Sequence, residues 1–148
     1  MSIEIIPQAV GEYIKAVNSD VWLCRIKIIG DIPHYALKIN ENECVIGISP
    51  KCPHMGCKLF PVENIPQETL DNALVRCPCH SSCFDLLAQG KTIMGPATEW
   101  LPVMQLNRVE DDPGKVELAG WVNSDGATDI GRGIPYGETS IDIDVEEG

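Results

Sequence analysis

Cys52-Pro53-His54-Met55-Gly56-Cys57 and Cys77-Pro78-Cys79-His80-Ser81-Ser82 are two short boxes whose reading decides how the rest of the chain is understood. Each offers a thiolate and an imidazole at ligand spacing, C-x-H in the first box and C-x-x-H in the second. The prolines and Gly56 suit loops whose backbone must turn sharply and stay rigid. Cys52, His54, Cys77 and His80 are therefore candidate metal ligands converging from two loops. Two thiolates with two imidazoles suit tetrahedral zinc, or a [2Fe–2S] centre with the histidines on one iron. Each box also carries a second cysteine, Cys57 or Cys79, beyond what a four-ligand site uses.

Outward from the boxes the pattern is mostly β. Residues 21–29, 35–39 and 43–48 read as strands, the last two joined by the turn Asn40-Glu41-Asn42. Residues 102–109 and 115–118 flank Asp111-Asp112-Pro113-Gly114, a strong turn signal, and form the most secure hairpin of the chain. Two helices are expected. Ala9, Val10, Tyr13, Ile14 and Val17 share one face at helical spacing over residues 8–18. Pro66-Gln67-Glu68 places proline and acid where a first helical turn favours them, as an insertion between the boxes. The tail alternates strictly over residues 139–145 and reads as an edge strand with a solvated Asp142/Asp144 face, a disordered acidic tail being the alternative.

At 148 residues the chain is long enough for one domain with a proper core. No apolar run approaches the roughly 18 residues of a membrane helix, and the N-terminus lacks a secretory leader pattern. A soluble cytoplasmic protein is the simpler expectation; a soluble extracytoplasmic domain whose anchor has been removed is the alternative. The net charge of −11 is concentrated towards the C-terminus and argues against nucleic acid as a partner. Of the cysteines outside the boxes, Cys24, Cys44 and Cys83 read as buried packing residues, with a Cys24–Cys44 bridge as an alternative. His34 reads as a turn residue, and Trp22, Trp100 and Trp121 as core or lid aromatics.

The boxes C-P-H-M-G-C and C-P-C-H-S-S closely resemble those of the Rieske iron–sulfur proteins. The resemblance implies that Cys52 and Cys77 bind one iron of a [2Fe–2S] cluster, one per chain, while His54 and His80 bind the other. It implies a disulfide between Cys57 and Cys79, and a hydrogen bond from Ser82 to a cluster sulfide. Gly95-Pro96-Ala97 resembles the proline loop that covers the cluster. The disulfide pair and this loop together resemble the high-potential branch. The implied fold is all-β: a Rieske-type antiparallel β sandwich of three sheets with a small cluster-binding subdomain. One domain would fill residues 1–148, the subdomain about 50–97 inserted in a base β domain, with an acidic extension over about 120–148.

This chain departs from the family pattern at Phe84, where a tyrosine hydroxyl is usual, and at Ser81, where glycine is usual. Loss of the hydroxyl leaves a ligand sulfur more electron-rich and lowers the potential within the Rieske range of roughly −150 to +300 mV. The implied function is soluble one-electron carriage between donor and acceptor proteins, with proton release coupled through His54 and His80. The alternative is a Rieske subunit of a quinol-oxidising, cytochrome bc-type or other respiratory complex, with a quinol as partner. A structural zinc-binding module is the alternative from another class. No substrate-activating residues are seen apart from the boxes, so an electron-transfer protein is expected rather than a self-standing enzyme.

Overall fold

The computed structural model describes residues 2–17, 19–53, 56–60 and 64–122. In chain order the strands are β1 (Ser2–Ile5), β2 (Tyr13–Lys15), β3 (Trp22–Lys27), β4 (Leu37–Lys38) and β5 (Glu43–Ile48). The short helix α1 (Gln67–Asn72) precedes β6 (Leu74–Arg76), β7 (Cys83–Asp85) and β8 (Lys91–Met94), and β9 (Val103–Arg108) and β10 (Lys115–Trp121) close the fold. The expected strand at 139–145 and most of the acidic extension lie outside the described residues.

All pairings are antiparallel. The base strands run β1-β10-β9-β5-β3-β2, with β4 also on β5, while β6, β7 and β8 form a separate small sheet. β5 divides one edge between two partners: Val45 and Cys44 pair with β4, Gly47 and Ile48 with β9. This split bends the base sheet over on itself. Side-chain alternation then gives a middle layer two cores. Trp22, Cys24, Ile26, Ile46 and Ile48 pack with Val75, Phe84 and Leu86 of the small-sheet region. Leu23 and Val45 point the other way, onto Leu106, Val116 and Leu118 of β9 and β10. The result is an all-β, antiparallel fold of three packed layers as expected, built from two hydrogen-bonded sheets rather than three.

The hairpin of β9 and β10 forms around the expected turn, with Asp111 in the left-handed region (φ 67°) and Gly114 N–H donating to Asp112 Oδ1 at 3.2 Å. The helix expected between the boxes is present as α1, entered at Pro66. The helix expected over 8–18 is not formed. Gly11 sits at φ +96°, its N–H donates to Arg25 O (3.0 Å), and Glu12 O accepts from Arg25 N–H (3.1 Å). Those backbone groups are committed to β3, so no helical ladder is available, and residues 13–15 continue as β2. No helix among the described residues is long and apolar enough to cross a membrane.

Candidate metal centre

The two boxes are hairpins of the same length and closure. In the first, Lys51 bridges Lys58, Cys52 N–H donates to Cys57 O (2.8 Å), and Gly56 N–H donates to Cys52 O (2.7 Å). In the second, Arg76 pairs with Cys83, Cys77 N–H donates to Ser82 O (2.8 Å), and Ser81 N–H donates to Cys77 O (3.0 Å). Both turns need a left-handed residue at the same place, Gly56 at φ +75° and Ser81 at φ +63°. The glycine usual at position 81 is thus explained by backbone sterics, and Ser81 adopts that conformation despite its Cβ.

This closure sets Cys52 and Cys77 at equivalent positions, and each is only 2% exposed. Cys57 and Cys79 form a disulfide that joins the two hairpins. The Cys77 sulfur lies within 4.8 Å of both bridge sulfurs. Cys79 and His80 are exposed, so the second loop carries its histidine at the surface. His54 lies outside the described residues. Among the predicted site residues, Cys52, Cys57, Cys77, Cys79, His80 and Ser82 are therefore all placed on the two joined loops.

Ser82 is fully buried, and its Oγ accepts a hydrogen bond from Ala97 N–H at 3.0 Å. Gly95 makes this contact feasible. A Cβ there would stand 2.5 Å from Ser82 Cα and 2.8 Å from its nitrogen, and φ is +95°. The Gly95-Pro96-Ala97 segment is thereby held directly against the second loop. Phe84, fully buried, shares the core with Cys52 and Cys77.

Several supports were not visible in the sequence. Phe60, which follows the first hairpin, stacks on Trp22 (5.1 Å) and meets Tyr13 edge-on (5.1 Å), fixing that loop to the base layer. Arg76, at the base of the second hairpin, pairs through two nitrogens with both carboxylate oxygens of Glu68 on α1 (3.0 and 2.9 Å). These hydrogen bonds hold the Glu68 carboxyl below the usual carboxylate range. Tyr35 is buried; its hydroxyl donates to Leu86 O and accepts from Gln89 N–H (2.9 Å), anchoring the small-sheet region to the segment before β4. Burial pushes the Tyr35 phenol up to about 12, although the Gln89 hydrogen bond acts the other way.

The remaining cysteines match their reading as packing residues. Cys24, Cys44 and Cys83 are buried free thiols. Desolvation raises all three, Cys44 to about 11. His34 sits in a turn, its carbonyl accepting from Gln105 Nε2 at 3.2 Å.

A family model for the Rieske [2Fe–2S] domain matches residues 15–118. The chloroplastic cytochrome b6-f complex iron–sulfur subunit of Bigelowiella natans is 35% identical over 101 residues, covering 66% of this chain and 34% of its own length. The cytochrome bc1 complex Rieske iron–sulfur subunit of Streptomyces lividans is 37% identical over 80 residues, which is 54% of this chain and 42% of that one. The chain thus matches less than half the length of these relatives. Among solved structures, the soluble domain of the Rieske protein II from Sulfolobus acidocaldarius aligns with a TM-score of 0.49 at 21% identity, covering 74% of this chain and 67% of that one. Because the family match runs from the end of β2 into β10, across both joined hairpins and the layers that carry them, the chain belongs to the Rieske [2Fe–2S] family.

Proposed function

We propose that this chain transfers single electrons between protein partners, with Cys52 and Cys77 holding one iron and His54 and His80 the other. Family membership implies the [2Fe–2S] group and sets zinc aside. The residues present fit it. Ser82 is fully buried and uses its oxygen to accept from Ala97, leaving a hydroxyl proton for which no described residue supplies an acceptor. A cluster sulfide is an acceptor of the kind such a proton needs. The observation that carries the reading is the matched pair of hairpins, each burying one cysteine outside the bridge at the same position, cross-linked by Cys57–Cys79.

When bound, the cluster supplies one-electron chemistry, at a potential raised by histidine ligation above that of all-cysteine ferredoxins. The chain's residues supply the rest. Buried Cys52 and Cys77 keep the sulfur side dry, while Ser82 orients its hydroxyl through Ala97. His80, exposed on the second loop, meets the partner and exchanges a proton with solvent as the oxidation state changes. Pro78, Ile93 and Met94 are exposed as well, and Met94 pairs with Cys83 at the base of the same hairpin, which suits an apolar docking rim.

The test is a redox titration of purified protein across pH, with EPR of the reduced state. A rhombic signal on reduction, lost in His80→Ala, and a midpoint potential that falls with rising pH are expected. A potential flat between about pH 6 and pH 10 would contradict histidine ligation with one titratable ring nitrogen each. The similarity to cytochrome bc1 and b6-f subunits favours a second reading, in which the chain serves within a quinol-oxidising complex. There, the exposed His80 nitrogen would accept the quinol proton. Quinol-analogue inhibitors that perturb the EPR signal would select this reading over a free carrier.

A further inference from the structure

β1 and β2 are the outermost strands of the base sheet, yet its curl brings them face to face. Side chains rather than a ladder hold this seam. Glu4, 5% exposed, accepts from Val17 N–H through Oε1 at 2.9 Å, and Ser2 Oγ meets Ser19 Oγ at 3.3 Å. A groove of about 610 Å³ runs along it, lined by Ile3, Ile5, Ile14 and Val17 beside the buried Glu4, with Lys15 and Lys115 at the rim. Ile3 (53% exposed), Ile5 (57%) and Val17 (86%) are among the most exposed large hydrophobic side chains of the described residues. A surface of branched apolar side chains between two unpaired strand edges calls for a cover.

We propose that residues 140–145 of this same chain fill that groove. Their sequence, Ser140-Ile141-Asp142-Ile143-Asp144-Val145, alternates strictly, so an extended conformation puts Ile141, Ile143 and Val145 on one face. That face meets Ile3, Ile5, Ile14 and Val17. Asp142 and Asp144 take the opposite face, where the flexible Lys15 and Lys115 side chains reach up from the rim. Charge agrees: residues 123–148 hold seven carboxylate side chains and one arginine. The solvent-facing charges of the groove are Lys15 and Lys115, the latter also 3.5 Å from Asp112 Oδ2, while Glu4 is buried and accepts from Val17 N–H. The route agrees as well. Leu118 of β10 pairs with Ser2 of β1, so the chain leaves β10 at the end where β1 begins. The 18 residues from 123 to 140 reach roughly 60 Å when extended, ample to turn back into the groove.

The test uses the full, cluster-loaded chain and compares it with Ile141→Asp/Ile143→Asp. Hydrogen exchange at β1 and β2 should run about tenfold faster in the variant, while β3 and β5 keep their rates. Zero-length carbodiimide coupling of the unsubstituted chain should link Lys15 or Lys115 to Asp142 or Asp144 within one molecule. Equal exchange in the two proteins overturns the proposal. So does protection that grows with protein concentration, or links found only between chains, because a second copy would then be the occupant. If β3 and β5 also exchange faster, the intramolecular link alone decides: its presence supports the proposal and its absence overturns it.

Discussion

Hairpins 51–58 and 76–83 share a backbone and a disulfide and differ in what ties each to its surroundings among the described residues. The first closes on an isolated bridge and, among the described residues, joins the core through the buried Cys52 and Leu59 and through Phe60 on Trp22 and Tyr13. The second grows out of a three-stranded sheet, carries Gly95 and Ala97 against Ser82, and is clamped to α1 by Arg76 and Glu68. Their left-handed positions differ as well: glycine in the loop closed by an isolated bridge, serine in the one that grows from a sheet. A loop closed by an isolated bridge gains from a residue that adopts the turn unaided. A braced loop holds a residue whose own preference lies elsewhere.

Cutting the link between the loops tests this contrast most severely. Cys57→Ser opens a closure spanning 22 residues and should cost about 3 kcal/mol in urea unfolding of the cluster-loaded protein. Gly95→Ala strikes the second loop alone. With a Cβ 2.5 Å from Ser82 backbone, it should cost about 2 kcal/mol or more and perturb the EPR signal through displacement of Ser82. An unchanged signal would show that the Gly95 segment does not set the Ser82 hydroxyl.

Tyr35→Phe loosens the platform of the second loop, leaving Leu86 O and Gln89 N–H without the phenol, at about 1.5 kcal/mol. Its pH signature follows from the raised Tyr35 value of about 12. The folded state favours the protonated phenol, so this contribution is complete below about pH 10 and lost as pH rises through 12. The wild type should lose stability in that alkaline window more steeply than the phenylalanine variant; parallel curves would refute the assignment.

Smallest are the exchanges at the matched turn position. Gly56→Ala meets open space, so its cost of about 1 kcal/mol comes from φ alone. Ser81→Gly should gain about 0.5 kcal/mol by relieving the same conformation, offset in part by the freer unfolded chain. If both changes destabilise equally, the two turns are not equivalent.

Much of this was legible because the informative residues lie close together in sequence. The boxes carry their own spacing, the β9–β10 turn announces itself through Asp-Asp-Pro-Gly, and Pro66 marks the start of α1. The equivalence of Gly56 and Ser81, each four residues after its cysteine, was in view but acquires meaning only with their dihedral angles. β6 and β7 are three residues each, too short for any alternation to register. Over residues 8–18 the apolar spacing fits a helix, but the backbone pairing of Gly11 and Glu12 with Arg25 prevails, a long-range commitment that no local window contains. The Arg76–Glu68 clamp and the Tyr35 anchor are likewise products of layer packing.

The depth at which Cys24, Cys44 and Cys83 are set has a consequence for how the metal centre matures. Desolvation holds these thiols protonated, and a protonated, inaccessible sulfur neither attacks a disulfide nor captures iron. Once the layers have closed around them, the spare sulfurs are out of competition: the Cys57–Cys79 bridge is spared scrambling, and the core offers no rival thiolates to the proposed iron ligands Cys52 and Cys77.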